Sequence, residues 1–293
     1  MKKISNILGL FLCLTATAVH GQAGKGDWGP DFLNVINARC EMLINPLGID
    51  VVQPRLSWMI IAFQRNIRQT AYQVIVASSP DKLAKQEADI WNSGKVNSDQ
   101  SIHVLYKGRP LTSRKTYYWA VKVWTNKGET PWSHSAYWSM GLLAPTDWKA
   151  KWIGLDKAMP WDSVTQWSRL SARYYRKTFA APSTIKKATV FISGLGLYEL
   201  YINGNRIGTQ VLAPVPTDYS KSIMYNSFDV THQLKNGKNA IGTIPATAVF
   251  LPCARITSHR NGIRSDFLKC SSNWRWNIWM VRVSLLSATQ PGR

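Results

Sequence analysis

Acid–base hydrolysis of a sugar linkage takes two carboxyl groups on opposite sides of the scissile bond, so the acidic residues come first. The candidates are Glu87 with Asp89, Asp147 with Asp156 and Asp162, and the single residues Glu129, Glu199 and Asp218. Glu87 and Asp89 fall on a short polar helix, where water solvates them. Glu199 shares a strand face with Leu197 and Tyr201, which suits an edge or a satisfied hydrogen-bonding position. Asp218 precedes Tyr219 in a Pro-rich loop. It is the best exposed of the set, yet no second carboxylate stands beside it. Structural use outweighs catalysis for each of these residues.

Other chemistries have less support. Gly194-Leu195-Gly196 opens like a dinucleotide loop but feeds a strand, whereas phosphate binding of that kind needs a helix N-terminus. His20, His103, His134, His232 and His259 show no paired ligand spacing, and no serine sits in a nucleophile elbow. No metal and no cofactor are therefore expected. Aromatic rings are the remaining hint, since sugars stack on exposed Trp and Tyr. Trp161, Trp167 and Tyr219 lie in loop-like, Pro-flanked stretches and, with Asp218, are the candidate carbohydrate contacts. Trp58, Trp119 and Trp124 fall on expected strands and read as core.

The elements that position these residues are strands. Tyr72, Val74 and Val76 share one face of an alternating run, and so do Tyr117, Trp119, Val121 and Val123, with Tyr118, Ala120, Lys122 and Trp124 on the other face, the period of a strand. Ser79-Pro80-Asp81 supplies an N-cap, a proline at the first helical position and an acidic first turn, which predicts one short helix through about Ala88. Further on, Ala188–Ser193, Leu197–Ile202 and Ile223–Val230 read as strands. Asn203-Gly204 between apolar runs is a hairpin signal. Short strands separated by turns predict an all-β protein of two consecutive sandwiches, over residues 33–143 and 147–242.

Charge and export signals limit the setting. Lys and Arg number 36 against 16 Asp and Glu, a net charge of +20. The basic residues are scattered rather than striped, so nucleic acid is not an expected partner. Lys2 and Lys3 precede an apolar run from Ile7 to Leu14, too short to span a bilayer. That is the pattern of a signal peptide over residues 1–21, cleaved before Gln22, and it predicts an exported, periplasmic or extracellular protein. Cys13 leaves with that segment. Cys40, Cys253 and Cys270 remain, enough for at most one disulfide.

Several stretches together resemble the bacterial α-L-rhamnosidase family of glycoside hydrolases. They are Arg39-Cys40-Glu41, Asn45-Pro46-Leu47-Gly48-Ile49-Asp50, Pro54-Arg55-Leu56-Ser57-Trp58, Trp91-Asn92-Ser93-Gly94-Lys95-Val96 and Trp148-Lys149-Ala150-Lys151-Trp152-Ile153-Gly154. In the second block they are Ser193-Gly194-Leu195-Gly196 through Asn203-Gly204, Thr217-Asp218-Tyr219-Ser220-Lys221 and Asn239-Ala240-Ile241-Gly242. The resemblance implies a fibronectin-III-like first domain and a jelly-roll-like second one, both accessory, with rhamnose-containing glycans as partners. In that family a helical barrel carrying the acidic catalytic pair follows. The 51 residues after Gly242 do not hold such a barrel, so no catalytic residue is carried over. A free-standing exported carbohydrate-binding or adhesion module is the alternative, and an intact small hydrolase the third reading.

Residues 243–293 read differently. They contain one acidic residue, Asp266, and two of the four cysteines. Pro245 falls where a strand is needed, and proline is poorly tolerated inside a sheet. The expectation is an irregular tail outside the family pattern, arising from a shifted reading frame or another aberrant extension. A genuine final strand involving Trp276–Val283 is the alternative.

Overall fold

The structure, a computed structural model, describes residues 32–153, 159–161, 172–211, 213–215, 217–218, 221–246 and 281–288. The expected signal peptide, Asp156, Asp162, Trp167, Tyr219, Cys253 and Cys270 lie outside them.

The first sandwich is built from β1 (Leu33–Cys40), β2 (Arg55–Ala62), β3 (Gln69–Ala77), β4 (Trp91–Asn92), β5 (Val104–Leu105), β6 (Thr116–Thr125), β7 (Gly128–Glu129) and β8 (Ala136–Ser139). One sheet has the order β1-β2-β5; the other runs β4-β3-β6-β7, with β8 also paired to β6. The β3–β6 register sets Val74 opposite Val121 and Val76 opposite Trp119. Because side chains alternate across a strand, this puts Tyr72, Val74, Val76, Trp119, Val121 and Val123 into one core, where they meet Leu56 and Trp58 of the facing sheet. Trp58 Nε1 donates to Gln69 Oε1 at 3.0 Å, and Gln69 Nε2 donates to the carbonyls of Ser98 and Gln100. A buried indole thus keeps a hydrogen-bond partner, as buried polar groups require.

The opposite side of the β3–β6 sheet is covered by α1 (Pro80–Ala84), whose Leu83 packs with Ile75, Ala77 and Ala120. Ser79 Oγ accepts from Lys82 N, as a cap should. The helix ends at Ala84, not near Ala88. Gln86 takes a φ of +60°, a left-handed conformation that stops the helical ladder. Trp124 is also corrected: it lies on the outer face with Lys122, half-buried, and Lys95 Nζ sits 4.5 Å from its ring centroid.

The second sandwich contains β9 (Tyr175–Ala181), β10 (Lys187–Gly194), β11 (Leu197–Ile202), β12 (Asn205–Ile207), β13 (Tyr225–Asp229), β14 (Gly237–Ala246) and β15 (Val281–Ala288). Its sheets have the orders β13-β10-β15 and β12-β11-β14-β9. Ala188, Val190, Ile192, Leu200 and Ile202 form an aliphatic core between them. Asn203 and Gly204 have φ of +51° and +86°, the doubly positive turn that suits a two-residue hairpin.

The expectation that Pro245 breaks its strand is overturned. β14 runs through Pro245, which pairs with Tyr198. Tyr198 N–H turns away from β14 to the carbonyl of Ala213, so Tyr198 and Pro245 are a non-hydrogen-bonded pair. The proline nitrogen therefore faces the β9 side, where pairing has already ended at Thr243–Tyr175. No ladder bond is lost there. A further described strand, β15, pairs along β10 from Lys187–Ala288 to Gly194–Val281, in the part of the chain expected to be irregular.

The two sandwiches touch through Tyr225. Its hydroxyl accepts from Leu142 N at 3.1 Å, and its ring meets Trp148 edge-on at 5.6 Å. Lys187 Nζ donates to Thr116 Oγ1 at 2.7 Å across the same seam. Glycine is required here: a Cβ on Gly141 would collide with the Tyr225 hydroxyl, and one on Gly48 with Ser227.

Candidate functional site

Four carboxylates, Glu41, Asp89, Glu129 and Asp147, are held as anions by neighbouring donors. Glu41 is lowered below the usual range by its hydrogen bond from Arg55, whose Nη2 lies 2.6 Å away. Burial works against the charge of Asp89, but Lys82 Nζ at 2.7 Å and two Ser78 donors outweigh it and hold the carboxyl at about 2. Glu129 is lowered by Lys122, and Asp147 by hydrogen bonds from Ser113 and Ala144 N. A general acid needs the opposite shift. Glu199 accepts from Tyr201 Oη at 2.6 Å and lies 3.4 Å from Arg206 Nε. This is the satisfied position expected of it.

Of the expected sugar contacts, Trp161 is 72% exposed. Asp218 closes a turn: its carbonyl accepts from Lys221 N and Ser222 N, and its carboxylate lies 3.4 Å from Lys221 Nζ. Trp167 and Tyr219 lie outside the described residues. Among the described residues no three His, Cys, Asp or Glu side chains gather as a metal site, and no helix is long and apolar enough to cross a membrane.

The structure assembles a different constellation, on the outer face of the β12-β11-β14-β9 sheet. Register places Arg206, Tyr201, Gly242 and Arg176 in one row across the four strands. Paired residues share a face, so Tyr201 and Arg176 stand on either side of a position with no side chain. Ile244 and Ala240 continue the floor along β14, and Tyr174, 79% exposed, closes the side at the end of β9. The result is an open trough of about 270 Å³. A second cleft, of about 440 Å³, shares Arg176, Gly204 and Ala240 with it and continues to Lys238.

The hairpin flanking this trough is pinned from below. Asn203 Nδ2 donates to Asn239 Oδ1 at 2.8 Å and to the Gln233 carbonyl, while its Oδ1 accepts from Ala240 N. Buried Asn239 in turn bonds Lys235 and Gly237. The Tyr201 hydroxyl donates its proton to Glu199, the first cause of its raised pKa, and keeps its lone pairs to accept from a ligand. A protonated phenol beside an open floor can stack a sugar face and offer a polar tip. Sequence reading missed this set because its members come from four strands. The available signals were a Glu199/Tyr201 alternation and a glycine inside the apolar run Ala240–Ile244.

Known proteins share both sandwiches. The profile described as Rha78A-like, N-terminal immunoglobulin domain matches residues 35–144, and that of the alpha-L-rhamnosidase N-terminal domain matches residues 183–259. The second match runs past Gly242, where the resemblance read from the sequence stops. An alpha-L-rhamnosidase of Formosa agariphila is 39% identical over 215 residues, covering 68% of this chain and 23% of that protein. The solved alpha-L-rhamnosidase of Dictyoglumus thermophilum superposes with a TM-score of 0.70 at 34% identity, covering 88% of this chain and 29% of its own. That of Aspergillus terreus gives 0.68 at 26% identity, covering 88% and 28%. The chain thus spans about a quarter of the length of the relatives it matches. With matching profiles on both sandwiches and the same order of domains, the chain belongs to the α-L-rhamnosidase family and carries its two N-terminal β-sandwich domains.

Proposed function

We propose that this chain is the non-catalytic, sugar-contacting accessory portion of an exported α-L-rhamnosidase-type glycoside hydrolase, and that its second sandwich holds rhamnose-containing glycans. The observation that carries this reading is the Tyr174–Gly242–Tyr201 trough, an apolar floor between two rings with polar groups at its edge. That is the usual composition of a small-ligand site. Exposed Trp161 offers a further ring, with Asp218 as a polar contact. The lowered carboxyl groups support the non-catalytic part, since each is tied to a cation or to hydrogen-bond donors. Lys2, Lys3 and the apolar run after them support export.

Titration calorimetry with rhamnose and rhamnosylated oligosaccharides at millimolar concentration tests the binding. Heat of binding is expected for the purified chain and is expected to vanish in Tyr201→Ala. No heat with any of these sugars overturns the reading. So does turnover of an aryl rhamnoside that disappears in Glu199→Gln.

A further inference from the structure

We propose that the outer face of the β1-β2-β5 sheet is a docking surface for an anionic lipid bilayer; this goes beyond the sugar-binding reading above and does not depend on it. An antiparallel sheet usually turns polar side chains to water on the face away from the core. Here Leu56, Trp58 and Ile60 of β2 pack into the core. Alternation therefore sends Met59, Ile61 and, just past the strand, Phe63 outward. β1 widens the patch. Ile36 pairs with Met59, and Phe63 N donates to the Phe32 carbonyl, with the two rings 5.2 Å apart. Ile36, Met59 and Phe63 are 41%, 53% and 55% exposed. Exposed apolar side chains grouped in this way mark an interaction surface, whereas scattered ones do not.

The charge beside that patch identifies the partner. Arg65 and Arg68 follow Phe63 in the loop after β2, and that loop is fastened to the β6–β7 turn. Arg68 N donates to Asn126 Oδ1, Asn126 N to the Arg68 carbonyl and Asn126 Nδ2 to the Asn66 carbonyl. The turn that carries Lys127 thus lies against the loop that carries the two arginines. All three cations are exposed, and none has an ion pair or side-chain hydrogen bond among the described residues. Of the carboxylates on adjoining segments, Glu129 is taken by Lys122 at 2.7 Å, which leaves Asp99 against three cations. Apolar side chains with a cluster of cations at one end match a bilayer, whose headgroups are negative and whose interior is apolar. The position suits such a surface. Thr116, at the start of β6, bonds Lys187 of the second sandwich, and Thr125 at the other end of β6 is roughly 30 Å away at strand rise. The second sandwich therefore leaves this end clear. β1 also begins here, so the chain arrives from the N-terminal segment with Lys2, Lys3 and the apolar run Ile7–Leu14, the segment that meets the membrane during export.

Co-sedimentation of the whole chain with lipid vesicles tests this. Mixed phosphatidylcholine and phosphatidylglycerol vesicles are expected to bind about tenfold or more tightly than vesicles of phosphatidylcholine alone, a preference that added salt erodes. Arg65→Gln, Arg68→Gln and Lys127→Gln together are expected to abolish the preference. Lys85→Gln, Lys115→Gln and Lys238→Gln together remove the same charge from exposed sites elsewhere and are expected to leave it within about twofold. Met59→Ser with Phe63→Ser is expected to weaken binding to the anionic vesicles about tenfold, with the unfolding midpoint retained. Equal affinity for the two kinds of vesicle overturns the proposal. So does an equal loss in the two charge variants, which would show attraction by net charge alone, and so does anionic binding that the serine pair leaves unchanged. A dimer that dissociates in the serine pair, with no binding to either vesicle, overturns it and assigns the face to a second copy of the chain.

Discussion

The first sandwich encloses its largest rings, whereas the second carries two tyrosines outward beside a glycine. Trp58, Trp119 and Trp138 are among the most deeply buried side chains of the first domain, and its outward Trp124 lies under Lys95 and Lys122. The second domain fills its core with Val190, Ile192, Leu200 and Ile202. Tyr174 and Tyr201 then stand on the outer face with nothing at Gly242 to cover them. Two sandwiches of the same general build thus use aromatic residues for opposite ends. In one, the ring area removed from water holds the sheets together. In the other, it is left available for a partner. Aromatic content by itself therefore does not mark a binding site; which side of the sheet the rings occupy decides whether they are open to a ligand.

That contrast can be broken most forcefully in the first core. Trp119→Ala should destabilise the first sandwich by about 3–5 kcal/mol, read as a lowered urea midpoint. Tyr201→Ala, which removes a ring from the open face, should stay within about 0.5 kcal/mol of the parent in the same titration. Comparable losses from the two changes would mean that Tyr201 is a packing residue and would erase the distinction.

The seam between the domains comes next in size. Gly141→Ala forces a methyl group into the Tyr225 hydroxyl and should cost about 1–3 kcal/mol. Small-angle scattering should show a more extended particle for this variant. An unchanged scattering profile would show that Tyr225 does not govern how the sandwiches sit together.

The smallest expected effect is a pH dependence confined to the first domain. The folded Asp89 carboxyl sits at about 2 against 3.8 for the free group. A depressed value stabilises the fold above the free-group pKa, and the contribution fades as pH falls through the folded one. Asp89 is partly exposed, so solvent screening limits this to about 1 kcal/mol. Asp89→Asn should remove it near neutrality and flatten the decline of stability between about pH 4 and pH 2. An Asn variant whose acid profile parallels the parent's would assign that decline elsewhere.

Strand faces were legible in the sequence wherever one side is buried. The alternation at Tyr72–Val76 and Tyr117–Val123 carries its own parity, and Asn203-Gly204 carries its own turn chemistry. The start of α1 was equally plain, because Ser79, Pro80 and Asp81 act locally. Its end was not, because nothing in the composition of residues 85–88 announces the left-handed turn at Gln86. Pro245 misled for a related reason. Whether a proline harms a strand depends on which neighbour its nitrogen faces, and that is a property of the sheet. The trough was hidden more completely. Tyr174 and Arg176 come from the end and body of β9, Tyr201 from β11 and Gly242 from β14, and register alone brings them into contact range. The sequence pointed instead to loop residues, of which the structure describes Trp161 and Asp218.

The placement of Pro245 has a consequence for self-association. Beyond Thr243, no described strand pairs with β14 along its β9 flank. A bare strand flank is a template on which another molecule can add its own strand. A proline in that flank withholds the amide that such an intruder would need. Replacing it by an ordinary residue, Pro245→Val, would restore a donor and turn a blunted border into one that invites edge-to-edge aggregation.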